Sequence, residues 1–447
     1  MSSKLGKTLI SFHPGRTIFN ALLITIILGT IALAMPYSRT TPMSIVDLFF
    51  TATSTTCVTG LFTVPLENFT LFGHIVLLIL MQIGGLGLMT MTLFFLSIFV
   101  NMGMTTQLMA GELLELEHWS DAKHLLLFIF KLTIALELIG AAIIFMALPT
   151  QESLWYTWFL ALFHAVSSFC NAGITLLPTE LLVHTYYYIT LVTTMILIIC
   201  GGLGFITWRE IICYIRSYNH KKRYNFSLQS KVILYGTAFL LLSGTIIIGL
   251  LEYNNAFSHL PVIKKIFHAL FSSVSARSAG YFSVNPHNLS YATLFYIAAL
   301  AFIGTAPGST GSGAKITTIA LFIAAIRSAI TGRISVEIGG RHIPIILIYK
   351  AMVIVAISIF WIAFTTFILL ITEPNNNFFA LFFESISAFT TLGISLGVTS
   401  SLSLMGKMCI ISNMIIGRAG SLTLIMALKK KTISSDYSYP EERVMLS

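Results

Sequence analysis

Charge is scarce in this chain. Only 10% of its 447 residues are Asp, Glu, Lys or Arg, where soluble domains carry about 25%. With 56% hydrophobic residues and a mean hydropathy of +0.87, that scarcity excludes a water-soluble globular domain. Acids are rarer still, 17 against 26 bases. The resulting charge of +9 does not mark a nucleic-acid binder, because the bases sit in short loops between apolar runs. The five cysteines, at 57, 170, 200, 213 and 409, form no C-x-x-C pair and read as small membrane-packing residues, not a disulfide frame. No H-E-x-x-H, no G-x-S-x-G and no paired intramembrane aspartates occur, which argues against a membrane-embedded enzyme.

What the chain does have is long apolar runs. Eight segments are long enough to span a bilayer: 17–35, 69–100, 124–148, 186–216, 229–252, 291–330, 344–372 and 402–428. The first lacks an A-x-A cleavage site and reads as a true span, not a signal peptide. Eighteen of the 26 Lys and Arg fall on one side of these spans. By the positive-inside rule that side is the cytoplasm, and it holds both termini. Between the members of each pair lies a shorter apolar segment, at 43–54, 155–168, 261–275 and 376–389. These are too short to cross and read as re-entrant helices.

The short segments are copies of one another. Each runs into a glycine: FTATSTTCVTG (50–60), FHAVSSFCNAG (163–173), LFSSVSARSAG (270–280) and FESISAFTTLG (383–393). Gly60, Gly173, Gly280 and Gly393 are 113, 107 and 113 residues apart, a fourfold internal repeat. Phe50, Phe163, Leu270 and Phe383 open the copies, and Thr55, Ser168, Ser275 and Ala388 fill the positions five before each glycine. The next span carries a second glycine marker beginning at Gly84, Gly201, Gly308 and Gly417. The expected architecture is an all-α integral membrane protein of eight spans and four re-entrant pore loops, four pseudo-repeats around one central pore. The repeats run over 1–100, 101–216, 217–330 and 331–447.

Non-helical backbone at membrane depth must be buried in protein or line a watery cavity. Four glycine strands around one axis turn carbonyl oxygens on a cation and replace its hydration shell. Each short helix aims its partly negative C-terminus at the same point. With no ring of acids, such a site suits a monovalent ion. The strands are Cys57-Val58-Thr59-Gly60, Cys170-Asn171-Ala172-Gly173, Arg277-Ser278-Ala279-Gly280 and Thr390-Thr391-Leu392-Gly393. The Arg277 side chain cannot face a cation path and is expected behind the strand, against a carboxylate such as Glu384. The rival reading is that the four turns merely permit helix packing.

The sixth span breaks at IGTAPGSTGSGAK (303–315), where Pro307 and four glycines cannot continue a helix. It is not a phosphate loop, because Ala314 separates Gly313 from Lys315. Arg418, about ten residues before the Lys429–Lys431 cluster, needs a buried partner. The carbonyls of 308–313 are the best candidates. Lys315 either holds the same loop or approaches the cytoplasmic mouth. His164 and Glu384, each nine before its glycine, are expected to brace the short helices. Asn171 either buttresses its strand or touches an ion. The acidic loop 101–123 and the HKKR loop at 220–223 are candidate regulator contacts, with anionic lipid a second reading for the latter.

These residues resemble the Trk/Ktr/HKT superfamily of potassium transporters, and most closely the membrane subunit of bacterial Ktr systems. TCVTGL (56–61), FCNAGI (169–174), ARSAGY (276–281), TTLGIS (390–395), APGSTGSGAKITT (306–318), IGRAGSLTL (416–424) and YPEERVM (439–445) carry the likeness. It departs at Ser278 and Tyr281, where Thr and Phe are usual, and at Thr390 and Leu392, where Gly and Val are commoner. The resemblance implies potassium uptake across the bacterial plasma membrane through a four-glycine selectivity filter. It implies K+ as the transported ion, no organic cofactor in this chain, and sodium dependence in related systems. It implies a homodimer on a cytosolic ring of nucleotide-binding KtrA-type (RCK) regulators. It implies a gate at 304–318, comprising Gly304, Pro307, Gly308, Ser309, Thr310, Gly311, Ser312, Gly313 and Lys315, with Arg418. The alternative is a sodium-selective or poorly selective relative of the same fold.

Overall fold

A computed structural model describes residues 14–87, 122–149, 153–177, 188–219, 224–333 and 335–420. Fourteen α-helices form this described part. A long helix, a short helix, an extended stretch and a further helix recur in order. The first set is α1 (Pro14–Ala34), α2 (Ile45–Thr56) and α3 (Leu71–Gly85). The second is α4 (Ala122–Ala147), α5 (Leu154–Cys170), α6 (Tyr188–Gly202) and α7 (Phe205–Asn219). The third is α8 (Leu228–Leu251), α9 (Val262–Ser275), α10 (Tyr291–Ile303) and α11 (Ile316–Ile330). A small antiparallel hairpin, β1 (Glu337–Ile338) and β2 (Arg341–His342), leads to α12 (Ile345–Thr372), α13 (Phe378–Phe389) and α14 (Leu404–Ala419).

Three helices among the described residues are long and apolar enough to cross a membrane: His124–Ala147, Leu228–Leu251 and Ile345–Thr372. A fourth span is possible if Tyr188–Gly202 and Phe205–Tyr218, bent by 101°, count as one. Two expected spans are thus broken helices: 186–216 at Leu203–Gly204, and 291–330 between Ile303 and Ile316. The second and eighth expected spans are described only as far as Gly87 and Gly420. Glycine makes these breaks cheap, since Gly204 and Gly304 take φ of 82° and 71° that a side chain would resist. Large apolar side chains stay exposed along the long helices, such as Ile24, Leu28 and Ile31 on α1 and Phe360, Phe364 and Phe367 on α12. An apolar belt of this kind suits lipid, not water.

Three of the four short helices start on polar caps, and α9 follows Pro261 without one. The side chains of Ser44, Ser153 and Asn377 accept from the N–H groups of Asp47, Tyr156 and Phe379. Their bodies are buried at the centre. Phe50, Phe163, Phe271 and Phe383 are among the largest fully buried side chains. In the third copy the buried aromatic is one residue beyond the aligned Leu270, which is itself only partly buried. The helices interlock in a cycle: α3 packs on α5, α6 on α9, α10 on α13, and α14 on α2. Lys407 on α14 and Asp47 on α2 close that cycle with an ion pair of 2.7 Å.

Candidate functional site

The C-terminus of each short helix unwinds into a strand with the same backbone. The residue two before each glycine is left-handed: Val58 (φ 58°), Asn171 (59°), Ser278 (66°) and Thr391 (50°). The glycines follow at φ of 87°, 67°, 71° and 82°. A side chain is uncommon at positive φ, so four such pairs at equivalent places mark a built feature. The strands are tied back to their helices. Thr59, Ala172 and Leu392 donate to the carbonyls of Ser54, Ser167 and Ser387 at 2.7, 2.8 and 2.8 Å. The Ser54 hydroxyl also accepts from Gly60 N, and that of Ser167 from Ile174 N. A serine stands six before the glycine in these three copies, but its hydroxyl adds to the brace only in the first two; the Ser387 hydroxyl has no partner among the described residues.

The third copy has Val274 at that position and ties differently. Ala279 and Gly280 both donate to the Ser275 carbonyl, at 3.0 and 3.3 Å. This one-residue offset accompanies burial of Phe271 in place of Leu270.

The four strands meet. A Cβ on Gly60 would strike the carbonyl oxygen of Ala172, and one on Gly173 that of Ala279. One on Gly280 would strike that of Leu392, and one on Gly393 that of Thr59. The contacts run from each strand to the next and return to the first, so the glycines line a closed ring with main-chain oxygens from every strand. Both torsion and space demand glycine there. Cys57, Cys170, Arg277 and Thr390 are fully or almost fully buried at the helix ends behind the ring.

Side chains join the strands. The Ser278 hydroxyl donates to Thr390 O at 2.5 Å and accepts from Ser312 N at 3.2 Å. Tyr281 OH donates to Ser167 Oγ at 2.8 Å. Arg277 does not pair with Glu384. It is buried, with Nε 3.4 Å from Gly304 O and Nη2 3.4 Å from Thr237 Oγ1. Glu384 instead accepts from Ser395 at 2.8 Å and from Thr399, two hydroxyls closer along its own copy. His164 bonds Thr175 at 3.2 Å and Thr194 at 2.9 Å. Both side chains thus link a short helix to the segment eleven residues on.

The break in the sixth expected span folds under the ring. Ala306 and Thr310 N–H groups donate to Gly202 O and Gly201 O at 3.1 and 3.2 Å, and the Thr310 hydroxyl reaches Phe169 O at 3.0 Å. Ser309 is held within the loop by Thr305 and Ala306 O. Ala314 N donates to Phe302 O at 2.9 Å. Gly304 and Gly313 pack against each other so closely that a Cβ on either would meet the other's backbone. Lys315 Nζ donates to Gly311 O at 2.5 Å.

Arg418 crosses to the same loop. It donates to Thr310 O at 2.5 Å and Ser312 Oγ at 3.3 Å, and also to Gly84 O and Gly85 O at the end of α3. The α3 carbonyls were not expected; a buried guanidinium has five donors and takes acceptors from both neighbours. Pro307 and Gly308 lie at the loop's partly exposed edge.

The second glycine marker holds in three copies only. Gly84, Gly201 and Gly417 press on the carbonyls of Thr56, Phe169 and Phe389, whereas Gly308 has nothing within 4 Å. The helix of the third copy has already ended at Ile303, so its marker falls in the loop. Asn171, 1% exposed, has no hydrogen-bond partner at either amide atom among the described residues. It faces the loop, where a Cβ on Gly311 would lie 3.1 Å from its Nδ2. The 101–123 and 220–223 segments and the YPEERVM tail lie outside the described residues, Lys123 and Ala122 backbone apart.

Known proteins resemble this chain in sequence and in fold. The chain is 35% identical to the potassium/sodium uptake protein NtpJ of Enterococcus hirae, over 97% of each chain. It is 33% identical to the Ktr system potassium uptake protein B of Bacillus subtilis, again over 97% of each. The crystal structure of the potassium transporter TrkH from Vibrio parahaemolyticus superposes with a TM-score of 0.72 at 18% identity, covering 96% of this chain and 87% of that one. That likeness is one of fold. The relatives are transporters, not enzymes. A family model described as TrkH, cation transport protein, matches residues 8–438, and the chain belongs to that family of membrane proteins.

Proposed function

We propose that this chain is the ion-translocating subunit of a bacterial potassium uptake system. The observation that carries the reading is the closed ring, in which each of four glycines lies on a main-chain oxygen of the next strand. A ring of carbonyls with no carboxylate among its members replaces the water of a monovalent cation without binding it too tightly to leave. K+ is the cargo, held by the oxygens of residues 57–60, 170–173, 277–280 and 390–393. The membrane potential drives entry, at about 2.3 kcal/mol per charge for each 100 mV. The loop 304–315 obstructs the path below the ring, and Arg418 locks it by its bonds to Thr310, Ser312 and α3.

The names of the relatives support potassium as the ion, and the Ktr system name supports a partner subunit. In this reading the chain is a homodimer in the plasma membrane, with both termini in the cytoplasm and a nucleotide-binding KtrA-type ring beneath. A second reading, transport of sodium as well, is favoured by the relative named for both ions.

The test is growth of a potassium-uptake-deficient bacterium on low-K+ medium, with and without a KtrA-type partner, followed by K+ and Na+ flux in proteoliposomes. Rescue with K+ flux above Na+ flux supports the reading. Equal fluxes favour the second reading, and no flux of either ion with the partner present removes both.

A further inference from the structure

Below the loop lies a cavity of about 380 Å³, separate from the ring. Its roof is the loop itself, through Pro307 and Lys315, and its sides are the starts of α8, α11 and α12. Two lysines border it, Lys315 and Lys350. Lys315 is half-buried and spends one proton on Gly311 O, which leaves two N–H donors on its ammonium. Lys350 is exposed and makes no hydrogen bond or ion pair with any described residue. Among the described residues the cavity has no acid in its lining. The first turn of α11 also borders it through Thr317 and Thr318, and no side chain caps that helix.

The remaining wall is apolar: Val232, Leu321, Ile343, Leu347 and Ile354 among others. A cavity that offers both lysine ammonium groups and a large apolar wall matches an amphiphile with an anionic head. A small hydrophilic anion leaves the apolar wall unused, and a peptide does not need two lysines with no acid between them. Lysine near a bilayer surface attracts anionic lipid by about 1 kcal/mol each.

We propose that this cavity binds one anionic phospholipid, its phosphate held by Lys315 and Lys350 and an acyl chain against the apolar wall. Because Lys315 also holds Gly311 O, a bound headgroup competes for the ammonium that secures the loop, so occupancy couples membrane composition to the gate. That coupling rests on the gating role proposed above; the binding does not.

The experiment therefore reads binding first. Dihexanoyl phosphatidylglycerol, dihexanoyl phosphatidylcholine and inorganic phosphate are each titrated into detergent-solubilised protein, and thermal stability is followed. The glycerol lipid is expected to raise the midpoint at lower concentration than the choline lipid, with no rise from phosphate. In Lys350→Glu, two charge units are altered on an exposed side chain, and the apparent affinity for the glycerol lipid should fall about thirtyfold. Leu347→Asp, also at a partly exposed position, should weaken binding of the same lipid by placing a carboxylate on the wall.

Equal responses to the two lipids, or an unaltered response in Lys350→Glu, overturn the site. A rise with phosphate alone also overturns it, in favour of a simple anion site. Flux is measured separately in vesicles with and without phosphatidylglycerol. A lipid effect on K+ flux that Lys350→Glu abolishes supports the coupling. Selective binding without any effect on flux leaves the site standing and removes the coupling.

Discussion

Arg418 and Thr310, 108 positions apart in the chain, are joined by a hydrogen bond of 2.5 Å from the guanidinium to the main-chain carbonyl. The same side chain reaches Gly84 O and Gly85 O. One residue of the last helix thereby ties the loop of the third copy to the first copy, directly under the ring.

Removing that tie should open the path. Hydrogen bonds to charged groups contribute about 1.5–3 kcal/mol each, and 1.4 kcal/mol is a factor of ten in population. Arg418→Ala is expected to raise K+ flux about tenfold or more in proteoliposomes without the regulator. Deletion of 308–313 should do the same. Flux unchanged in both variants would take the gate away from this loop.

The ring demands glycine at 60 for torsion and for space. A side chain at φ 87° is strained, and its Cβ presses on Ala172 O. Gly60→Ser should displace that carbonyl, spoil the fit for K+ and shift the K+ to Na+ flux ratio towards Na+. An unaltered ratio would mean that the carbonyl ring does not set selectivity at this position.

Tyr281→Phe removes only the hydroxyl, which donates to Ser167 and accepts from Ser168 across copies. Loss of these buried bonds should cost about 1–3 kcal/mol. The expected result is a lower thermal midpoint in detergent, read by the loss of monodisperse protein on heating. A midpoint equal to that of the parent would show that the strand contacts do not depend on this bond.

Asp47 sits at the start of α2, where burial raises its carboxyl pKa. Hydrogen bonds from Lys407, Ser44 and Thr63, with the Lys407 charge, outweigh that and hold it below the ordinary Asp value. The folded pKa is therefore the lower one. The pair's contribution is complete above the unfolded Asp pKa and is lost as pH falls through the folded one. Asp47→Asn should lower stability at pH 7 by about 1 kcal/mol at most, as for partly exposed pairs. It should also flatten the loss of stability below about pH 4. An acid profile identical to the parent's would exclude Asp47 from that transition.

Much of this molecule was legible from residues alone. Apolar runs marked the long helices because lipid contact and helix length are local requirements. Gly60, Gly173, Gly280 and Gly393 marked the strands because positive φ and close approach exclude other residues. Pro307 and its glycines marked the break after Ile303 for the same reason. The acceptors were not legible. Arg277 found Gly304 O and Thr237 in place of Glu384, and Arg418 found α3 as well as the loop. The third copy is offset by one residue, its strand tied to Ser275 O where the other copies use the residue six before the glycine.

Conformation at a glycine is decided by the atoms of the residue itself, so the pattern along the chain was enough to find it. The partner of a buried donor is whichever oxygen the packed helices leave in reach. That oxygen lies up to 334 positions away, and only the folded chain brings it there.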